Sequence, residues 1–223
     1  MATRPVLAEL ARGFEALHGG QVAIEAVGGV DAFKRVQAGE LFDLVVLASD
    51  AIDKLVAAGH LQAGSRVDLV RSGVAVAVPA GAERPDLGSE AAVRQAVLGA
   101  RSIGYSTGPS GVALMQLFER WGIADTLKDR TVQARPGVPV GALVASGEVA
   151  LGFQQLSELL NVEGIEVLGP LPPAIQINTV FSAGLPVHLV AGSPQAQQVK
   201  ALLDFMNSPQ AGEVKQRHGM TPA

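Results

Sequence analysis

The chain contains no cysteine, and its 223 residues include only one tryptophan and one tyrosine. Without cysteine it can form no disulfide, bind no metal through thiolates and use no cysteine nucleophile. Charge is also scarce, because only 17% of the residues are charged and the 17 basic residues are scattered without a run. With a net charge of −4, this pattern argues against nucleic acid or an anionic membrane surface as the main partner. We therefore expect any anion to be bound at a local site.

Long apolar segments and metal-binding motifs are missing as well. No stretch approaches the ~18 apolar residues of a membrane span, and residues 1–6 lack the apolar region of a signal peptide. The four histidines lie far apart, without an HExxH pair, so no metal site is expected. With 48% hydrophobic residues the chain can nevertheless bury a large core. It is expected to be a globular protein without a cofactor.

The segment 101–111 predicts a short strand that runs through a polar turn into an amphipathic helix over residues 112–120. The turn carries hydroxyl side chains and glycines, namely Ser106, Thr107, Gly108, Ser110 and Gly111. Hydroxyls and the unpaired N–H groups of a helix start can bind an anion, and glycines let a ligand approach the backbone. The lysine of a nucleotide-binding loop is absent, so we expect a small oxyanion or carboxylate. In the alternative interpretation, the hydroxyls only cap the helix.

Predicted strands and helices alternate along the chain. Apolar runs predict strands over residues 21–27, 42–47, 73–79, 102–105, 149–153, 165–168 and 175–181. Amphipathic segments predict helices, which include residues 4–17, 194–206 and 209–219. The pattern indicates an α/β fold of two lobes, with mostly parallel sheets and helices on both faces. We expect lobe 1 to contain residues 1–80 and 178–223, lobe 2 to contain residues 81–177, and a ligand cleft to lie between them.

Ligands of open α/β sheets lie beyond the carboxyl ends of the strands, which indicates further candidate residues. Gly28 and Gly29 follow the first predicted strand, where they either contact a ligand or form a tight turn with positive φ. Gln154 and Gln155 follow a later strand and are expected to face the cleft. Tyr105 ends another strand, where it either contacts the ligand or is part of the core.

Several sequence blocks together resemble the molybdate-binding-protein-like branch of the type II periplasmic solute-binding proteins. The blocks are residues 27–30 (VGGV), 43–50 (DLVVLASD), 104–111 (GYSTGPSG), 145–153 (ASGEVALGF) and 201–212 (ALLDFMNSPQAG). They occur in the family's order and cover nearly the whole chain. The resemblance implies the two-lobed type II fold, in which the turns at residues 27–30 and 104–111 hold an oxyanion from two sides.

The chain departs from this family in three respects. The family opens with a strand and a turn rich in serine and alanine, whereas here a helix begins within a few residues of Met1. We therefore expect the full-length protein to carry a preceding strand and a signal peptide. The first turn has Gly-Gly-Val where molybdate binders commonly carry a serine, and Gln155 stands at the position of the family's ligand tyrosine. Gln154, Gln155 and Arg135 suit a carboxylate better than a tetrahedral oxyanion.

These observations predict a monomeric periplasmic binding protein that closes two lobes around a molybdate-like oxyanion or a di- or tricarboxylate. The resemblance implies a partner in the membrane component of an ABC transporter. One alternative is an enzyme of aconitate-isomerase type on the same fold, which moves a proton in a small tricarboxylate, with Tyr105 as the candidate catalytic residue. Another is the effector-sensing domain of a transcription regulator. The expected ligand-binding residues are Gly28, Gly29, Tyr105, Ser106, Thr107, Ser110, Gly111, Arg135, Val138, Gln154 and Gln155.

Overall fold

The computed structural model describes residues 1–223. The helices are α1 (Arg4–His18), α2 (Gly29–Gln37), α3 (Ser49–Ala57), α4 (Glu90–Gly99), α5 (Pro109–Arg120), α6 (Ala124–Leu127), α7 (Val140–Ala145), α8 (Leu156–Leu159), α9 (Pro194–Met206) and α10 (Pro209–Arg217). The strands are β1 (Val45–Ala48), β2 (Val67–Pro79), β3 (Ile103–Tyr105), β4 (Thr131–Gln133), β5 (Leu151–Gln155), β6 (Ile165–Pro170), β7 (Asn178–Gly184) and β8 (Met220–Pro222). None of the helices is both long enough and apolar enough to cross a membrane.

The chain forms two compact units. Unit 1 contains Met1–Arg71 and Val180–Ala223, and unit 2 contains Ser72–Thr179. Both crossings between the units fall inside strands, the first in β2 and the second in β7. The sequence placed the first boundary at residue 80, after the apolar run. The first crossing between the units lies earlier, between Arg71 and Ser72, so most of β2 belongs to unit 2.

Unit 1 contains a core between α1 and the two C-terminal helices. The apolar stripe of α1 buries Val6, Leu10 and Phe14, which pack in one cluster with residues of α9 and α10 such as Leu202. Pro5 stands in the first turn of α1, where its missing N–H costs no hydrogen bond. In the same unit, β1 pairs antiparallel with β7. The predicted helix over residues 4–17 is thereby confirmed.

The strand predicted over residues 21–27 is wrong. This segment alternates in hydrophobicity but belongs to no strand of the structure, and Ile24 is 38% exposed. Its backbone instead forms isolated hydrogen bonds. For example, the N–H of Val22 donates to Oε1 of Glu15 at 2.6 Å. Alternation produces a strand only where a neighbouring strand supplies a ladder of hydrogen bonds, and this segment has no such neighbour.

Unit 2 contains a sheet in which three parallel strands lie side by side. β3 pairs parallel with both β4 and β5, whereas β2 pairs antiparallel with β5 and β6. Phe118 of α5 and Phe153 of β5 contact each other within the core on one side. On the other side α7 comes so close that a β-carbon at Gly152 would stand 2.4 Å from Cγ2 of Val144. Glycine in β5 therefore lets helix α7 pack tightly against the sheet.

Candidate functional site

The carboxyl ends of β3, β4 and β5 meet at one edge of the unit 2 sheet. Tyr105, the last residue of β3, lies opposite Gln133 of β4 and opposite Phe153 of β5. Because the three strands are parallel, the segments that follow them leave from the same edge, as sequence reasoning assumed. The structure brings these predicted residues to that edge: Tyr105, Ser106, Thr107, Ser110, Gly111, Arg135, Val138, Gln154 and Gln155.

The turn between β3 and α5 presents donors that the protein does not use. Oγ of Ser106 and Oγ of buried Ser110 lie 3.1 Å apart. The N-cap residue of α5 is Gly108, and no side chain caps this helix. Among the turn and cap hydrogen bonds, the N–H groups of Thr107, Gly108 and Ser110 donate to no acceptor. The alternative that the hydroxyls serve as helix caps is therefore wrong.

The two glycines of this turn have different roles. A β-carbon at Gly111 would stand 1.8 Å from the carbonyl oxygen of Ser106, so the turn can close only over a glycine. At Gly108 a β-carbon would be 3.7 Å from Oγ of Ser106, which is ordinary contact. Gly111 was expected to admit a ligand to the backbone, but its space is filled by the backbone of Ser106. Gly111 therefore sets the shape of the turn by packing against its backbone.

Residues 104–108 read Gly-Tyr-Ser-Thr-Gly, which matches the GxSxG pattern of a nucleophile elbow between a strand and a helix. In such an elbow the serine occupies a strained turn and has a histidine as its base. Here no non-glycine residue has a positive φ, and the Ser106 hydroxyl contacts the Ser110 hydroxyl. The turn therefore lacks the strained backbone of a nucleophile elbow.

The loop after β4 places a cation at the same edge. Arg135 is exposed and forms no ion pair, and the N–H of Val138 donates to its carbonyl oxygen at 2.9 Å. The N–H of Ala134 donates to the carbonyl oxygen of Tyr105 at 2.8 Å, which fixes the start of the loop beside the end of β3. A guanidinium without a partner can bind a carboxylate through two parallel hydrogen bonds.

Gln154 and Gln155 point to opposite sides of β5, because side chains alternate along a strand. Oε1 of Gln154 accepts from the N–H of Gly141 at 3.2 Å, on the α7 side. Nε2 of Gln155 donates to Oγ1 of Thr179 at 2.7 Å, and its Oε1 has no partner. Both side chains are only 3% exposed. The structure therefore does not bring them together as a pair facing one ligand.

A carboxyl group that the sequence analysis did not select lies just after β5. Glu158 stands in α8, which follows β5 directly. Burial raises the pKa of Glu158 above the ordinary glutamate value. In the sequence this residue looks like any acid in the first turn of a helix. Its one distinguishing signal was the position just after the end of β5.

Gly28 and Gly29 lie in unit 1, at the start of α2. Gly28 is the N-cap residue with a φ of −57°, and Gly29 has no positive φ either. The alternative of a tight turn with positive φ is therefore wrong. A β-carbon at Gly29 would meet no atom within 4 Å. Local packing does not explain the two glycines, and their role toward a ligand stays a prediction.

The family of the chain follows from comparison with known proteins. The sequence profile of the bacterial extracellular solute-binding proteins matches residues 1–221. The chain belongs to this family. The chain is 38% identical over 193 residues to an aconitate isomerase from a Pseudomonas species, a match that covers 84% of this chain and 70% of the relative. It is also 29% identical over 113 residues to the molybdate-binding protein ModA of Escherichia coli K12, covering 51% of this chain and 42% of the relative.

Solved structures of solute-binding proteins share the fold. The periplasmic molybdate-binding protein of Azotobacter vinelandii superposes with a TM-score of 0.77 and 24% identity, over 100% of this chain and 96% of that chain. At this level of identity the likeness shows the fold alone. Together with the family profile, it confirms the predicted α/β, two-lobed type II fold and the predicted resemblance to molybdate-binding proteins.

Proposed function

We propose that this solute-binding protein captures a small carboxylate or oxyanion at the carboxyl edge of β3, β4 and β5. The observation that carries the proposal is the turn between β3 and α5. Its Ser106 and Ser110 hydroxyls bond only to each other, and no side chain caps the helix that follows. A polar turn at a helix start with spare donors is a favourable place for an anion.

The site is suited to binding an anion mainly through hydrogen-bond donors, with few positively charged side chains. The chain as a whole has a net charge of −4, so its overall field does not attract anions. Fixed hydroxyl and N–H donors can replace the hydration shell of the ligand, because hydrogen bonds to an ionised acceptor are stronger than neutral ones. Arg135 adds one cation from the neighbouring loop.

Two observations favour a carboxylate over a tetrahedral oxyanion. The relative with the higher identity acts on aconitate and matches 84% of this chain, whereas the match to the molybdate-binding relative covers 51%. Arg135 is free of ion pairs, and the planar fork of a guanidinium fits the two oxygens of a carboxylate. Molybdate, tungstate and sulfate remain the competing ligands for the test.

A thermal-shift screen tests this proposal. The panel contains molybdate, tungstate, sulfate, phosphate, and di- and tricarboxylates that include cis- and trans-aconitate. A ligand present at about 100-fold its dissociation constant should stabilise the protein by about 2.7 kcal/mol. Arg135→Gln should lower the shift for a carboxylate, whereas Arg101→Gln, an exposed arginine at the other end of β3, should not. No shift with any member of the panel would contradict the proposal.

A second candidate function is isomerisation of aconitate on the same site. It is favoured by the 38% identity to an aconitate isomerase. Proton NMR of trans-aconitate incubated with the protein separates the two functions. Appearance of the cis isomer supports the enzyme, whereas saturable binding with unchanged substrate supports the carrier.

The family also suggests where the protein works and with which partner. Since the family consists of extracellular solute-binding proteins, we propose a periplasmic location for the full-length protein. A carrier of this kind would deliver its ligand to the membrane component of an ABC transporter. The predicted closing of two lobes around the ligand, the contribution of Gly28 and Gly29, and the monomeric state remain predictions.

A further inference from the structure

We propose that a pocket in unit 1 binds a small zwitterion with one carboxylate and one ammonium group, such as an amino acid. The pocket has a volume of about 550 Å³, and its walls come from the start of β2, the junction of α9 and α10, helix α10 and strand β8. All of these residues belong to unit 1, whereas the turn between β3 and α5 belongs to unit 2. The pocket is therefore a second site, and its ligand is independent of the anion proposed for unit 2.

A buried ammonium group without a counter-charge lines this pocket. Lys215 is only 1% exposed, and its Nζ donates to the carbonyl oxygen of Leu69 at 2.8 Å and to Oδ1 of Asn207 at 3.3 Å. An ammonium group has three donors, so one of them is left without an acceptor. Burial lowers the pKa of Lys215, and no neighbouring carboxylate offsets that effect. Because a buried charge is costly unless it is paired, an anionic group beside Nζ would stabilise it.

Asn207 gives a bound carboxylate a route to this ammonium group. It is exposed, it lines the same pocket, and its amide oxygen forms the longer of the two hydrogen bonds of Nζ. That oxygen is neutral, whereas a carboxylate oxygen would add the attraction between opposite charges. We therefore expect the carboxylate of the ligand to replace the Asn207 side chain as acceptor and to take up the third donor of Lys215.

An unpaired carboxylate lines the pocket as well, which favours a zwitterion over a simple anion. Glu213 is exposed and takes part in no ion pair. Asp68 is the other acidic side chain of the wall, but it accepts from Nε of Arg66 at 2.8 Å and from the hydroxyl of Ser182 at 2.6 Å, so its charge is already compensated. The uncompensated side chains of the pocket are thus one ammonium and one carboxylate group. A ligand with its carboxylate at Lys215 and its ammonium group at Glu213 pairs both.

The experiment titrates the ¹⁵N-labelled protein with L-alanine, propionate and ethylamine and follows the amide signals by NMR. Propionate and ethylamine keep the carbon skeleton of alanine but lack its ammonium and its carboxylate group, respectively. We expect L-alanine to shift the amide signals of residues 207–216 saturably and to bind about tenfold more tightly than either half. Lys215→Met and Glu213→Gln should each weaken L-alanine binding about tenfold. Lys34→Met and Glu163→Gln should not, although they make the same charge changes at exposed residues without ion pairs.

Three outcomes would overturn the proposal. L-alanine that produces no saturable shift at residues 207–216 excludes the pocket, and propionate that binds as tightly as L-alanine excludes a zwitterion as its ligand. Glu213→Gln that binds L-alanine like the wild type excludes the ammonium contact, and because Glu213 is exposed this variant is informative even if Lys215→Met fails to fold. Ser106→Ala, in unit 2, should leave these titrations unchanged. Failure here therefore leaves the function proposed for the turn between β3 and α5 untouched.

Discussion

Gly111 lies directly against the carbonyl oxygen of Ser106, so closely that a β-carbon on Gly111 would stand 1.8 Å from that oxygen. The first turn of α5 thus packs against the backbone that leads into it. This contact sets the path of the turn whose hydroxyl and N–H groups form the candidate site. The geometry of the proposed site therefore depends on a residue that need not touch the ligand.

Replacing Gly111 by alanine should disrupt the turn. Because the close atom belongs to the backbone, it cannot move aside like the end of a side chain, and we expect a loss of about 3 kcal/mol in the free energy of unfolding. Gly108→Ala is the matched control, since its β-carbon would lie 3.7 Å from Oγ of Ser106. Urea unfolding of both variants checks this. Equal stability of the two variants would show that the turn is not fixed by Gly111.

Ser110→Ala should separate binding from stability. It removes the hydroxyl that lies 3.1 Å from Ser106, which should cost about 1 kcal/mol in stability. The affinity for the bound anion should fall about tenfold, equivalent to about 1.4 kcal/mol. Ser102→Ala is the control, because Ser102 accepts a hydrogen bond from the N–H of Ala150 at 3.0 Å near the amino end of the same strand. A variant of Ser102 that weakened anion binding as much as Ser110→Ala would place the site elsewhere.

Local sequence signals predicted much of the fold. Helix α9 begins at Pro194 and ends at Met206, as predicted, because Ser193 caps it and Pro194 fits its first turn. The turn after β3 was predicted because glycine, serine and threonine cluster between a short apolar run and a helical stripe. Helix caps and turns depend on residues that are neighbours in the chain, so a single sequence is enough to predict them.

The features that the sequence did not predict depend on contacts between segments that are distant in the chain. Residues 21–27 have a strand pattern, but a strand also needs a partner, and the sequence cannot show whether one is adjacent. Gln154 was expected to face a ligand, yet it is buried because α7 presents the N–H of Gly141 to it. Conversely, the sequence analysis did not select Glu158, although it lies just after β5. The burial that raises its pKa follows from tertiary packing, which the sequence does not show.

A double-mutant cycle can measure the coupling free energy of the buried hydrogen bond between Gln155 and Thr179. Thr179→Val leaves the buried Nε2 of Gln155 without its acceptor at 2.7 Å, which should cost about 1–3 kcal/mol. In a Gln155→Met background the same change should cost clearly less, because no amide is left unpaired. Urea unfolding of the four proteins gives the coupling. Identical costs of Thr179→Val in both backgrounds would contradict this assignment.

Lys215 should make the stability depend on pH in the alkaline range. Its side chain is 1% exposed, and its Nζ donates to the carbonyl oxygen of Leu69 at 2.8 Å and to Oδ1 of Asn207 at 3.3 Å. Burial lowers the pKa of Lys215 below the ordinary lysine value of 10.5. The folded protein therefore binds this proton less tightly than the unfolded chain, and the cost of burying the charge is fully present below the folded pKa.

That cost should disappear as the pH rises from the lowered pKa of the folded state toward 10.5. Lys215→Met serves as the reference, because other groups titrate alike in both proteins. The free energy of unfolding of the wild type, relative to this variant, should rise with pH by at most about 1.4 kcal/mol per unit. Urea unfolding at several values between about pH 8 and 10 measures the difference. A difference that stays constant or falls with pH would contradict the inferred shift.

Titration calorimetry of the wild type and of Ser106→Ala with trans-aconitate, a dicarboxylate and molybdate tests the central claim most directly. The claim is that the turn between β3 and α5 binds a small anion. We predict saturable binding of at least one of these ligands to the wild type, with a carboxylate bound more tightly than molybdate. Ser106→Ala should bind it about tenfold more weakly. Absence of binding to all three, or equal affinity of the wild type and Ser106→Ala, would contradict the account.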